Sequence, residues 1–330
     1  MSGDEWSGEE WSADDAEALA DADTAAVGDG TADSGHIPVL PAEIIDLLSN
    51  VGRRVIVDCT LGLGGHSRML LEHAPHLQVI GVDRDAANLS LAREQLAAFG
   101  DRVRFIHANF AELAGVLNAF GVKRVDGILA DLGFSSNQMA DPQRGLSFER
   151  DGPLDMRLDQ QERTTAADLV NTLGEGELSD LLYFQSQERH SRKIAKRICQ
   201  VRRQGRLNST VELARLIASA VGESAEGRRG KIHPATRTFM ALRMAVNRET
   251  ESLRSLLQTA PDLLATGGRI VVISFHSVED RIVKDDFRER ARSGVYRLVT
   301  RKPLVADDQE RTLNRRSRSA KLRCAERLVT

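Results

Sequence analysis

Residues 53–67 read RRVIVDCTLGLGGHS, a run of β-branched residues that ends in a glycine-rich turn. The first part predicts a buried strand, and the glycines predict a turn whose backbone can approach a ligand closely. The helix that follows would direct its free N–H groups at the same point. A second apolar run, LQVIGV at 77–82, ends at Asp83, where a carboxylate can accept hydrogen bonds from ribose hydroxyls. Together these stretches predict the first half of a nucleotide-binding sheet.

The same alternation of strand and helix patterns continues along the chain. Short apolar runs between helices are typical of parallel strands that are buried on both faces. The predicted elements after Asp83 are helix 86–99, strand 103–108, helix 111–120, strand 125–130, helix 249–264, strand 268–275, helix 279–292 and strands 295–300 and 320–326. The fold class is therefore α/β, a doubly wound sheet whose binding sites lie at the carboxyl ends of its strands.

The stretch between the fourth and fifth strands follows a different pattern. It contains little strand signal, and helical patterns occur at 177–184, 191–203 and 211–221. We therefore predict an all-helical domain at 141–241, inserted into an α/β core made of 36–140 plus 242–330.

The distribution of charge separates the N-terminus from the rest of the chain. Residues 1–35 contain seven Asp, four Glu and no Lys or Arg, so this low-complexity segment carries −11 and is predicted to be a disordered acidic tail. The whole chain carries −3, so residues 36–330 carry +8. Such asymmetry favours a polyanionic partner such as nucleic acid.

Several classes of protein are excluded by composition. No apolar run approaches the ~18 residues of a membrane span, and the acidic N-terminus is unlike a signal peptide. The three cysteines lie far apart without CxxC spacing, which argues against a disulfide scaffold or a zinc site. We expect a cytoplasmic protein with no membrane partner and no metal.

The glycine loop departs from the dinucleotide-binding pattern at one position. Ser67 stands where G-x-G-x-x-G has its third glycine, the residue that lets a helix pack closely behind a pyrophosphate. This disfavours NAD(P), although an NAD(P)-dependent dehydrogenase remains an alternative at this point.

A second carboxylate at a strand end gives a chemical indication. The run DLGFSS at 131–136 has the spacing of the Asp-Pro-Pro-Tyr loop of amino-methyltransferases, with both prolines replaced. Asp131 and the hydroxyls of Ser135 and Ser136 are candidates for orienting an exocyclic amine toward a methyl carbon. The two serines alone would more often cap a helix. No cysteine follows a proline, so methylation of nitrogen or oxygen is favoured over methylation of carbon.

At this point the chain resembles one family, over residues 36–330. The strings that carry the resemblance are HIPVL (36–40), TLGLGGHS (60–67), DLGFSS (131–136), RGLSFERDGPLDMRLD (144–159), HPATRTFMALRMAVNRE (233–249) and GGRIVVISFHSVEDRIVK (267–284). They resemble the bacterial 16S ribosomal RNA cytosine-N4 methyltransferases, which use S-adenosylmethionine.

The resemblance implies a class I, Rossmann-like methyltransferase core with an inserted helical substrate domain. It also implies methylation of N4 of a specific cytidine in the decoding, P-site region of 16S ribosomal RNA. Both naked RNA and the small ribosomal subunit stay open as the substrate, with the subunit favoured, and a homodimer stays open as well. The implied S-adenosylmethionine contacts are Gly64, Gly65, His66, Asp83, Phe110, Asp131 and Gln138. The role of Phe134 stays open: its ring could stack on the target base or pack in the core.

Two basic segments are candidates for phosphate contacts. Residues 185–206 carry eight Lys or Arg against one Glu, and residues 281–330 carry 15 basic and seven acidic residues. A solvated surface is the alternative for either segment, and a 4% aromatic content argues against a broad stacking platform. The candidate RNA residues are Arg144, Arg192, Lys193, Lys196, Arg197 and His276, of which His276 could instead cap a loop.

The predicted mechanism is direct transfer of the methyl group to the amine of a flipped-out base, with no covalent enzyme intermediate. Asp131 would accept a hydrogen bond from that amine. The segment 144–159, rich in glycine, proline and charge, is predicted to be a loop over the site that could act as a lid. A non-enzymatic alternative is an RNA-binding assembly factor with a vestigial pocket.

Overall fold

The computed structural model describes residues 37–49, 54–224 and 232–329, so the predicted acidic tail lies outside the described residues. Its strands are β1 Val55–Asp58, β2 Gln78–Asp83, β3 Val103–His107, β4 Val125–Asp131, β5 Leu264–Ser274, β6 Tyr296–Leu298 and β7 Lys321–Arg327. They form one sheet in the order β3-β2-β1-β4-β5-β7-β6. The pairs among β1 to β5 are parallel, whereas β7 runs antiparallel to both β5 and β6.

The helices cover both faces of this sheet and form a group of their own between β4 and β5. Their bounds are α1 Pro41–Leu48, α2 Gly65–His73, α3 Ala86–Gln95, α4 Leu113–Ala119, α5 Ser136–Ala140, α6 Ala166–Thr172, α7 Glu175–Ser186, α8 Ser191–Val201, α9 Thr210–Val221, α10 Thr236–Val246, α11 Glu249–Leu263, α12 Ser277–Arg292 and α13 Asp308–Leu313. None of the helices in the described residues is long and apolar enough to span a membrane.

Side chains on the parallel strands alternate between two buried layers. In β1, Ile56 belongs to the apolar cluster that includes α1 and α2, and Val57 belongs to the cluster that includes α4, α11 and α12. Burial on both faces explains why these strands read as continuous apolar runs. The predicted strands and the longer predicted helices all occur, which confirms the α/β doubly wound class.

Helices α6 to α10, which lie between β4 and β5, share a separate apolar core. This cluster includes Val170 of α6, Leu182 of α7, Ile198 of α8, Ile217 of α9 and Leu242 of α10. The predicted end of the insertion at residue 241 falls in the middle of α10, whose residues up to Val246 belong to this core. The sequence boundary was therefore too early, because α10 contributes a buried face to the helical group along its whole length.

The loop at 144–159 is anchored at several points. The buried Asn247 accepts a hydrogen bond from the Leu158 backbone N–H (2.8 Å) and donates one to the Met156 carbonyl (2.8 Å). Gly145 has φ 64°, and a Cβ at this position would lie 2.0 Å from the Pro153 carbonyl oxygen. The prediction of a loop is confirmed, but these contacts hold it as a fixed wall and do not favour a mobile lid.

We expect Asn247→Ala to lower the free energy of unfolding by about 2–6 kcal/mol, because two buried backbone groups would lose their partners at roughly 1–3 kcal/mol each. Denaturant unfolding measures this change. Asn118→Ala, at an exposed position of α4, is the matched control and should change stability by less than about 0.5 kcal/mol. Equal effects of the two substitutions would contradict the anchoring role of Asn247.

Candidate active site

Three carboxylates meet at the carboxyl edge of the sheet. Asp58 ends β1, Asp83 ends β2 and Asp131 ends β4, and these three strands are parallel neighbours. Burial raises the pKa of each carboxyl group above its ordinary value. A buried carboxylate is costly unless hydrogen-bond donors compensate it, so the loops that follow the strands must supply such donors.

The glycine loop supplies donors to the first carboxylate and begins α2. Ser67 donates its hydroxyl hydrogen to Asp58 Oδ2 (2.7 Å), and the Thr60 backbone N–H donates to Asp58 Oδ1 (3.2 Å). The hydrogen bond from Ser67 to Asp58 explains why a serine occupies the position of the third glycine in the dinucleotide-binding pattern. Gly64 caps α2 with φ 86°, and a Cβ there would lie 2.8 Å from a methyl carbon of Leu96. The positive φ favours glycine here, and any larger residue would also force the Leu96 side chain to move.

Asp83 is held by two backbone N–H groups. Gly62 donates to its Oδ2 (2.7 Å), and Asp85 donates to its Oδ1 (2.8 Å). Burial outweighs these bonds and raises the pKa of Asp83 to about 6. Each oxygen keeps a further lone pair toward the cleft that Asp83 lines, so the carboxylate can accept two additional hydrogen bonds.

Asp131 has an unused acceptor. Its backbone N–H donates to the Thr60 hydroxyl (2.7 Å), which fixes the end of β4, and its Oδ2 lies 3.8 Å from His66 Nδ1. Its Oδ1 is buried with no hydrogen-bond partner among the described residues. Burial raises the pKa of Asp131, against the opposing charges of His66 and Arg316. A buried acceptor of this kind on a cleft wall is typical of a group that a ligand completes.

These residues line a single cleft of about 930 Å³, measured with its open mouth. Gly65, His66, Asp83, Phe110, Asp131 and Gln138 of the predicted cofactor set line it. Gly64 lies behind this wall as the cap of α2. His66 is held by the Val39 carbonyl, 2.8 Å from its Nε2.

The loop after β4 begins α5 and orders the floor of the cleft. Gln138 accepts from the Ser135 backbone N–H (2.9 Å) and donates to Asp85 Oδ2 (2.7 Å). Ser135 is the N-cap residue of α5 and forms a capping box with Gln138. Its hydroxyl also lies 3.2 Å from the amide nitrogen of the buried Asn88. The predicted capping role is therefore present, and Ser135 also lines the cleft.

Phe134 packs on a cation, and Ser136 contacts a residue far along the chain. The Arg243 guanidinium lies 4.7 Å from the centre of the Phe134 ring, and Phe134 packs against the helical core. Core packing is therefore present. Phe134 also lines the cleft, and its stacking on the target base stays a prediction. Ser136 accepts a bond from Arg316 (3.4 Å).

Two predicted RNA contacts need correction. Arg144 donates to Asp85 Oδ2 (2.7 Å) and to the Leu158 carbonyl (3.2 Å), so its guanidinium is committed inside the protein. His276 is 3% exposed and caps α12 through a bond from the Glu279 backbone N–H (3.4 Å). Burial and existing partners leave neither side chain available to phosphate, and His276 has the capping role that the sequence left open.

The residue that sequence reasoning missed is Arg316. It donates to the Phe134 carbonyl (2.6 Å), and its charge opposes the rise in the pKa of Asp131. Burial lowers the pKa of Arg316 itself. In the sequence it is one of several arginines in a basic segment, so no local signal separates it from solvated neighbours. Only the return of the chain after α13 brings it to the cleft.

Two glutamates, Glu249 and Glu279, also line the cleft. Glu249, His276 and Glu279 bring ligand-type atoms within 4.8 Å of one another, a spacing compatible with a metal ion. However, Arg243 donates two hydrogen bonds to Glu249 (2.8 and 2.9 Å), so a guanidinium already supplies the positive charge. Burial opposes ionisation of Glu279, but His276, a backbone bond and Arg243 outweigh it and lower its pKa.

The predicted basic helix is α8. Arg192, Lys193, Lys196 and Arg197 are exposed, and the alternating Ile194, Ala195, Ile198 and Cys199 are buried. None of the four cations forms an ion pair with a residue in the described ranges. The helix therefore presents one continuous cationic face to solvent.

The strand order and the carboxylate-lined cleft define a class I methyltransferase, an enzyme that takes its methyl group from S-adenosylmethionine. A model of the MraW methylase family matches residues 33–328, and the chain belongs to this family. This membership confirms the predicted enzyme class, its cofactor and the resemblance drawn from the sequence.

Individual relatives agree over nearly the whole chain. A protein of Sorangium cellulosum named ribosomal RNA small subunit methyltransferase H is 48% identical over 293 residues, covering 89% of this chain and 91% of that one. A protein of the same name from Solibacter usitatus is 47% identical, covering 88% and 99%. Among solved structures, an rRNA methylase from Streptococcus thermophilus gives a TM-score of 0.39 at 10% identity, covering 88% and 94%.

The raised pKa of Asp83 predicts a pH dependence of cofactor binding. Above pH 6 the carboxylate is ionised and accepts hydrogen bonds, whereas at pH 5 about nine-tenths of it is protonated. We expect S-adenosylmethionine to bind about tenfold more weakly at pH 5 than at pH 7.5, as measured by calorimetry.

Asp83→Asn is the matched variant for this measurement. It should bind weakly at every pH and lose the pH dependence, because its side chain does not titrate and meets two N–H donors with one oxygen. Parallel pH profiles for the variant and the original chain would contradict the assignment to Asp83.

Proposed function

We propose that the protein transfers a methyl group from S-adenosylmethionine to N4 of a specific cytidine in the decoding region of 16S ribosomal RNA. Relatives named for action on the small-subunit ribosomal RNA support the substrate class. The observation that carries the chemistry is the buried acceptor Asp131 Oδ1, which has no partner among the described residues and lines the cleft.

The residues around the glycine loop fit the donor. Asp83 would accept hydrogen bonds from the ribose hydroxyls, and Phe110 would pack on the adenine. Gly65 and His66 would form the wall beside the amino acid part, with Gly64 behind them as the cap of α2. Gln138 would hold the floor of the same cleft through its bond to Asp85. When bound, S-adenosylmethionine supplies an electrophilic methyl group on sulfur.

Asp131 would orient the acceptor amine. The lone pair of an exocyclic base amine is delocalised into the ring, so the amine reacts only if its N–H groups are held by acceptors. Asp131 Oδ1 and carbonyls of the loop after β4 are such acceptors. Arg316 would hold this loop in place through the Phe134 carbonyl. The amine becomes acidic as it is methylated, so a carboxylate with a raised pKa is a sufficient proton acceptor.

The surroundings of Cys59 support nitrogen as the acceptor atom. Methylation at a pyrimidine carbon requires a thiolate that attacks the ring. Cys59 lines the cleft, but burial and the neighbouring Asp58 raise the pKa of its thiol, which keeps it protonated. The other two cysteines are buried away from this wall.

The base would have to leave its stack to reach this cleft. The cationic face of α8, formed by Arg192, Lys193, Lys196 and Arg197, would contact RNA phosphates and contribute affinity that depends on salt. The predicted helical domain would thus serve as the RNA-binding part, and 16S ribosomal RNA within the small subunit would be the partner.

The product of the reaction tests this proposal. Small subunits are isolated from a bacterial strain whose homologous gene is deleted, and the purified protein is added with S-adenosylmethionine. We expect mass spectrometry of the 16S ribosomal RNA nucleosides to detect N4-methylcytidine only in the treated sample. Methylation at carbon 5 or on a ribose hydroxyl would contradict the proposed chemistry, and no methylation of subunits or of naked 16S RNA would contradict the proposed substrate.

A further inference from the structure

Two adjacent aromatic side chains are exposed at the end of α7. The chain has ten Phe and two Tyr, and among them only Phe120, Tyr183 and Phe184 are largely exposed. Tyr183 is 49% exposed and Phe184 is 60% exposed. Their ring centres lie 5.5 Å apart at 76°, so the two rings form one edge-to-face pair. Single exposed apolar residues are common, but a paired aromatic surface calls for a partner.

The aromatic pair lies at the tip of a helical hairpin. α7 ends at Ser186 and α8 begins at Ser191, and the two helices pack against each other. The last turn of α7 and the first turn of α8 are therefore neighbours. The exposed cationic or titratable residues at this tip are Arg189, His190, Arg192 and Lys193.

Acidic groups are few at the same place. Glu188 is buried, and its Oε1 accepts the His190 backbone N–H (2.8 Å). Asp180 is exposed one turn before the aromatic pair. The exposed side chains at the tip therefore carry a net positive charge and include two aromatic rings. Positive charge combined with exposed aromatic rings is the composition of surfaces that bind single-stranded nucleic acid.

We propose that Tyr183 and Phe184 stack on unpaired bases of the ribosomal RNA substrate, while Arg192 and Lys193 contact the adjoining phosphates. This surface, the hairpin tip, rests on the proposed function and adds a second point of RNA recognition to the catalytic cleft. Stacking has no preference among bases, so the hairpin tip recognises an unpaired segment by its conformation and not by its sequence.

A second copy of the chain fits this surface less well. A stable interface buries about 800 Å² on each partner, far more than two aromatic rings provide. A two-fold pair centred on the tip would also bring its arginines and lysine together, and like charges repel. RNA phosphates meet the same cations with opposite charge.

Binding of a defined RNA tests the proposal. The full chain is titrated against fluorescein-labelled oligoadenylate of twelve nucleotides, followed by anisotropy. We expect Tyr183→Ser with Phe184→Ser to weaken binding by about thirtyfold or more, because the contributions of two stacked bases are lost together. Binding to a duplex of the same length should change little, because its bases are already stacked. Phe120→Ser is the matched control, because Phe120 is similarly exposed but lies in the α/β part of the chain, after α4.

The salt dependence separates stacking from charge. The aromatic double variant should keep the original slope of log affinity against log salt. Arg192→Gln with Lys193→Gln should reduce that slope by about 1.4, or about 0.7 for each single-strand phosphate contact. A double aromatic variant that binds oligoadenylate as tightly as the original chain would overturn the proposal.

Two further measurements distinguish a failure of the hairpin-tip proposal from a failure of the proposed function. Sedimentation tests self-association, and an affinity loss that follows dissociation of a dimer would identify an interface between copies and overturn the RNA proposal. Methylation of small subunits is measured in parallel. If the original chain methylates them and the aromatic variant has unchanged affinity and KM, the hairpin-tip proposal alone fails. If the original chain does not methylate them, the proposed function fails.

Discussion

Asp58, Asp83 and Asp131 end three neighbouring parallel strands, and burial raises the pKa of all three carboxyl groups. Three buried carboxylates at one edge of the sheet repel one another and lose their hydration. Each therefore needs hydrogen-bond donors that offset the cost of burying its charge. Ser67 and the backbone N–H groups of the glycine loop compensate the first two. Asp131 Oδ1 has no hydrogen-bond partner among the described residues, and a substrate amine can donate a hydrogen bond to it.

The compensation extends beyond the sheet and joins distant parts of the chain. Asp85 accepts hydrogen bonds from both Gln138 and Arg144, which connects α3 to the loop after β4 and to the segment leading into the helical group. Arg316 approaches the same loop from the C-terminal end. The residues around the glycine loop, the loop after β4 and the helical group are therefore joined by hydrogen bonds into one unit. Such networks hold catalytic side chains within a fraction of an ångström of their working positions.

The sequence predicted what depends on local patterns. Strand ends, the glycine loop, Asp83 and Asp131 are periodic or adjacent features, and their meeting at one edge follows from parallel topology. The antiparallel β7 between β5 and β6, the burial of Arg144 and His276, and the approach of Arg316 depend on long-range packing. In a sequence, a buried arginine with carboxylate and carbonyl partners looks the same as a solvated one, so charge alone assigned Arg144 to RNA.

The central claim is that Asp131 acts on the acceptor amine and not chiefly on cofactor affinity. Single-turnover transfer to unmethylated small subunits, combined with calorimetry of S-adenosylmethionine, tests it for Asp131→Asn. The account predicts a transfer rate lower by about a hundredfold or more with cofactor affinity near the original value. Asp101→Asn, at an exposed position two residues before β3, is the control and should transfer normally. A rate that is unchanged, or that falls only as cofactor affinity falls, would contradict the account.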